Sequence, residues 1–147
     1  MAFSIDFVQE EILNYLRTNL AQPVIEQGIP DIQTVQRDAA GKIVPFYALQ
    51  FGDIQQTRTS NRSMIGPRGD DYIQPVYTQA VSPDPRIARR MGNRINDLFL
   101  GMVFPWSGSV RKRPEGWMYP ITTSTGSTEA YEMPASFGVL VQLSNEA

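Results

Sequence analysis

A chain of 147 residues has room for one hydrophobic core, and its 41% hydrophobic and 19% charged content is that of a globular domain, not of a disordered segment. The absence of cysteine and histidine excludes disulfides, thiolate nucleophiles, cysteine- or histidine-held zinc and a Ser-His-Asp enzyme, leaving only carboxylate or lysine chemistry or a carboxylate-bound Mg²⁺ or Ca²⁺. The net charge of −2 conceals a segregation, with three bases against seven acids in residues 1–54, ten against four in 55–113, and none against four in 114–147.

The N-terminus carries acids where a secretion signal needs a basic region, and no stretch approaches the ~20 apolar residues that cross a bilayer, so no membrane partner is expected. Residues 4–20 are predicted as a helix, because Val8, Ile12, Leu16 and Leu20 recur at i, i+4 and Ile5, Leu13 and Tyr15 widen the stripe. Ser4 is its candidate N-cap. Asp6, Glu10 and Glu11 fall in the first turns and Arg17 near the other end, as the helix dipole favours. Pro23, Gly28 and Pro30 then break the pattern.

Two apolar runs follow, Ile32–Val35 and Ile43–Phe51, joined by a turn in which Gly41 supplies a positive φ. The second run is apolar on both faces and reads as an interior strand covered on each side. Residues 55–71 read as a long arm, polar and arginine-bearing, and such segments are usually functional or disordered. Tyr72–Val81 has strand composition, with Pro75 pointing to an edge position or a bulge. A second helix begins at Ser82-Pro83-Asp84-Pro85, capped by Ser82 or Asp84, with Ile87, Met91, Ile95, Leu98 and Phe99 as its buried stripe and Gly101 just past its end. Arg86, Arg90 and Arg94 form a parallel row. Residues 102–120 are expected to form a short ribbon with a Pro-Glu-Gly turn, residues 121–128 a flexible Thr/Ser/Gly loop, and Phe137–Leu143 a last strand. The sum is one α+β domain over 1–147, two helices packed on a mainly antiparallel sheet.

The arginine row fits phosphates, a solvated face or an ion-pair surface between subunits, and the overall acidity favours an acidic protein partner over nucleic acid. Gly66-Pro67-Arg68-Gly69-Asp70-Asp71 offers two carboxylates among turn residues, but not three metal-ligating ones, and reads as a loop turn. The lysine-serine ending of a phosphate-binding loop is missing, and Ser107-Gly108-Ser109 has no histidine partner. Trp106 and Trp117 are candidate interface aromatics or core-edge residues. No catalytic residue, metal ligand or cofactor is expected, so the chain reads as a non-enzyme.

In the order of its features the chain resembles the tail terminator proteins of siphovirus-type bacteriophages. The resemblance is carried by the opening helix SIDFVQEEILNYLRTNL, the hairpin VQRDAAGKIVPFYALQFGD, the arm TRTSNRSMIGPRGDDYIQPVYTQAVS, and the helix DPRIARRMGNRINDLFLG, which span residues 4–101, about two thirds of the sequence. It implies a tail-tube-like fold that closes into a six-membered ring on the last tail ring, ends tube growth and gives the head or connector a docking face. The implied partners are further copies of the chain, the major tail tube protein and a connector or head completion protein, with DNA as passing cargo. The implied place is the head-proximal end of the virion tail, assembled in the host cytoplasm. Arg58, Arg62, Met64, Ile65, Arg68, Asp70 and Asp71 of the arm, with Arg86, Arg90 and Arg94, are the expected contact residues. Alternative readings are a head completion or connector protein, a tail tube subunit, or, more distantly, a small nucleic-acid or ligand binding module.

Overall fold

Ser4 opens the first helix, α1 (Ile5–Asn19), its side chain accepting the Phe7 N–H at 3.2 Å. The structure, a computed structural model, describes residues 4–26, 35–56, 71–105, 107–113, 119–122 and 128–142. The helix buries Val8, Ile12, Leu13 and Leu16, with Leu20 just beyond its end. Ile5 departs from the expected stripe and stays 42% exposed, because the first turn lies past the last buried position and buries no side chain.

Among the described residues seven strands join into one sheet: β1 (Val24–Glu26), β2 (Phe46–Phe51), β3 (Gln55–Gln56), β4 (Asp71–Ser82), β5 (Ser107–Arg113), β6 (Tyr119–Thr122) and β7 (Thr128–Gln142). The order is β1-β2-β4-β7-β5, with β3 added to β4 and β6 to β7. Only the β1–β2 pairing is parallel among these. The second helix, α2 (Pro85–Phe99), connects β4 to the β5 side of the sheet. The α+β architecture is thus as expected.

Both helices lie on one face. A single cluster unites Val8, Ile12 and Leu16 of α1, Met91, Ile95 and Phe99 of α2, and Tyr47, Val76, Phe137 and Val139 of the sheet. Burying such side chains is worth roughly 1.5–3 kcal/mol each before chain entropy is counted, so this cluster dominates stability. A buried hydrogen bond from Tyr47 Oη to the Met91 carbonyl, 2.9 Å, ties β2 to the middle of α2. The Tyr15 hydroxyl ties α1 to α2 in the same way, donating to the Leu98 carbonyl at 3.0 Å. The other sheet face holds a smaller cluster at one end, Ile43, Phe46, Ala48, Val81 and Ala130, so β2 is indeed buried on both sides.

Several expectations need correction. Pro75 is not at an edge: β4 runs between β2 and β7, and the proline pairs with Gly138. Its carbonyl accepts the Gly52 N–H at 3.0 Å at the break between β2 and β3, and the return bond that another residue's N–H would give the Gly52 carbonyl is missing. The buried Gln74 amide fills that break, donating to the Gly52 and Pro75 carbonyls at 2.8 and 2.9 Å and accepting from Gln9 at 3.1 Å.

Within 102–120 the expected Pro-Glu-Gly turn lies outside the described residues, and β5 and β6 do not pair with each other. They follow one another along β7, which pairs with β5 through residues 136–141 and with β6 through 128–132. The last strand therefore begins at Thr128, and Ile121, Thr122 and Thr128 of the supposed flexible loop are strand residues, with 123–127 outside the described residues. Finally, Gln55, Gln56 and Asp71 belong to the sheet, which shortens the arm from both ends; residues 57–70 lie outside the described residues.

Candidate assembly interface

The second helix is the more amphipathic of the two described helices. Asp84 is its N-cap, accepting the Arg86 N–H at 2.9 Å, with Pro85 in the first turn where an N–H is dispensable. Ser82 supports the cap by accepting the Asp84 N–H at 3.2 Å. At the far end Gly101 takes a φ of 80°, the left-handed conformation that lets the chain leave the helix. Between these ends Ala88, Met91, Gly92, Ile95 and Phe99 face the core; Ile87 and Leu98 are only partly buried. Gly92 has a packing role, since a Cβ there would stand 2.7 Å from Met133 Cγ on β7.

The opposite face carries Arg86, Arg89, Arg90 and Arg94, all exposed, and among the described residues none of them has a carboxylate within ion-pair distance. The sequence reading named three of these; Arg89 was missed, although its place one residue from Arg90 on a helix with the apolar stripe assigned put it on the solvent side. Arg94 also reaches the core electrostatically. Burial pushes the Tyr47 phenol up to about 12, and Arg94 pulls the other way, so the tyrosine remains the donor its helix contact requires.

Two of the three acids placed at the favourable end of the α1 dipole, Asp6 and Glu10, are gathered with another element. Asp6, Glu10 and Glu26 line a shallow cleft between α1 and β1, with Leu13 and Arg17. Arg17 is occupied there, donating through Nε and Nη2 to the Val24 carbonyl, 3.2 Å in both cases. The cleft thus sets three carboxylates against one guanidinium already committed to the backbone. Its spatial signal in the sequence was the i, i+4 spacing of Asp6 and Glu10; Glu26, across a chain break, gave none.

Arg37 bonds Glu129 at 2.6 Å and the Gly41 carbonyl at 3.0 Å, tying the turn before β2 to the start of β7. Of the remaining expected contact residues, Arg58, Arg62, Met64, Ile65, Arg68 and Asp70, with Trp106 and Trp117, lie outside the described residues. Asp71 opens β4 opposite Gln142. The structure therefore brings together the helix-face arginines and leaves the arm untested. Among the described residues no group of three or more acids is close enough to hold a metal ion, and no helix is long and apolar enough to cross a membrane.

No protein-family model matches the sequence, and neither does any curated protein. Among the solved structures that match, one whose name states no function aligns over 98% of this chain and 99% of its own, at 21% identity and a TM-score of 0.52. The likeness at that identity is one of fold: the whole α+β domain, end to end, recurs in another protein of nearly the same length.

Proposed function

We propose that this chain is a structural subunit of a phage virion, closing with copies of itself into a ring, six-membered by the resemblance, on the head-proximal end of the tail tube. The ring ends tube growth and presents the docking face for the connector or head completion protein. DNA passes it as cargo, and no cofactor or catalytic residue takes part. The observation that carries this reading is the exposed arginine row on α2: the helix is fully packed by its other face, so the row serves a contact outside the subunit. The order of sequence features resembling tail terminators supplies the kind of assembly, and stopping growth then becomes a matter of surface complementarity.

Deleting the gene from its phage tests it. The expected result is filled heads without tails beside tubes of uncontrolled length. Tails of normal length already joined to heads would end the terminator reading. Heads that leak DNA beside unattached tails of normal length would put a head completion protein in its place. The distant alternative is separated in solution, where a monomer that binds oligonucleotide with a steep salt dependence would mark a nucleic-acid module.

A further inference from the structure

Resting on that ring reading, we propose that the ring closes head to tail, the α2 arginine row of one copy seating on the α1–β1 acidic cleft of a second copy. The first ground is that both charge sets are unspent among the described residues. Among the described residues the arginines have no carboxylate at ion-pair distance, and Asp6, Glu10 and Glu26 have no cation at that distance either; Arg17, which shares their cleft, donates to the Val24 carbonyl. The two helices meet through Tyr15 and Leu98, and among the described residues no ion pair joins the acids of α1 to the arginines of α2.

The second ground is spacing. Arg86, Arg90 and Arg94 recur at four-residue steps, as do Asp6 and Glu10. Each step advances about 6 Å along a helix, so the two acids can meet two consecutive arginines in register while Glu26, from β1, is left for a third. The third ground is symmetry. The two patches sit on different elements and have opposite sign, so the contact is heterologous, the kind that propagates around a ring, and the wrong pairings of like patches repel.

Two charge-reversed proteins test it. One carries Arg86→Glu, Arg90→Glu and Arg94→Glu; the other carries Asp6→Arg and Glu10→Arg. Light scattering on wild type, each variant, and their equimolar mixture gives the readout, with circular dichroism to check that each subunit is folded. The wild type should be a ring, each variant alone a monomer, and the mixture a ring of alternating copies, because each reversed patch then faces a partner of opposite sign. Raising salt should dissociate the wild-type and mixed rings alike.

A wild-type ring with both variants still assembled would overturn this contact and leave the ring reading standing. A wild type that is monomeric at every concentration would overturn both. Variants that fall apart and are not rescued by mixing would show that the arginines meet some other acidic surface. Variants that assemble normally but lose oligonucleotide binding would assign the row to a nucleic-acid backbone instead.

Discussion

The two faces of the sheet differ in what covers them, and the difference separates folding from assembly. On the helix-covered face Tyr47, Leu49, Val76, Ala80, Phe137, Val139 and Val141 belong to one continuous core with α1 and α2. On the other face the five-residue cluster occupies one end, while Tyr77 and Leu140 remain 40% and 39% exposed. The first face is paid for within the chain; the second leaves apolar side chains lying over strand backbone. Tyr77, for instance, lies against Gly52, where a Cβ would come within 2.8 Å of its ring. Stability should therefore respond to substitutions on one face and scarcely to those on the other.

The largest effect is expected from Phe137→Ala. Phe137 is fully buried and packs edge-on against Phe99 with ring centroids 5.0 Å apart, so its loss removes both transfer energy and an aromatic pair. A destabilisation of about 3–5 kcal/mol in urea unfolding is expected. A loss below about 1 kcal/mol would mean that the helix-covered face is loosely packed and the comparison misplaced.

Gly92→Leu follows, at about 1–3 kcal/mol, because the new side chain must displace Met133 from its place against the helix. Even Gly92→Ala should fail to show the roughly 1 kcal/mol gain that alanine brings to a helix interior. Met133→Ala in the same chain should restore part of that gain, which a double-mutant cycle would read directly.

On the uncovered face, Tyr77→Ser and Leu140→Ser should each change stability by about 0.5 kcal/mol or less, the range of surface positions. A loss comparable to that of Phe137→Ala would show that the isolated subunit covers this face after all.

How much of this was legible follows the same division between local and distant causes. Both helices, their caps and the left-handed Gly101 could be read because a cap and a 3.6-residue stripe are local facts. The two-sided burial of β2 was equally local. Pro75 misled because its tolerance depends on a break in the neighbouring strand, twenty residues away in sequence. The short strands β1 and β3 have too few residues to show alternation, and β1 was read as a break because of Pro23. The pairing of β5 and β6 with β7, not with each other, is a choice between partners that alternation cannot express. The site divides likewise: the α2 row is a period in one helix, whereas the acidic cleft needs α1 and β1 brought together.

The smallest expected effect is also the most diagnostic of the half-covered end. Glu132 stands opposite Val81, which places its side chain on the less covered face beside the small cluster. Burial there raises its pKa above the ordinary 4.5. A carboxyl raised on folding prefers its protonated form in the native state. Below the unfolded value both states are protonated and nothing is lost; as pH rises through the unfolded and then the folded pKa, the unfolded chain ionises more readily and stability falls. Glu132→Gln cannot ionise, so its melting temperature should match wild type near pH 4 and exceed it slightly at pH 7. Equal curves at all pH would mean that the end around Glu132 is open to water like the rest of that face. A variant less stable than wild type at pH 7 would mean that a cationic partner holds the carboxylate, and the cluster at this end would then be an ion-paired site and not a second core.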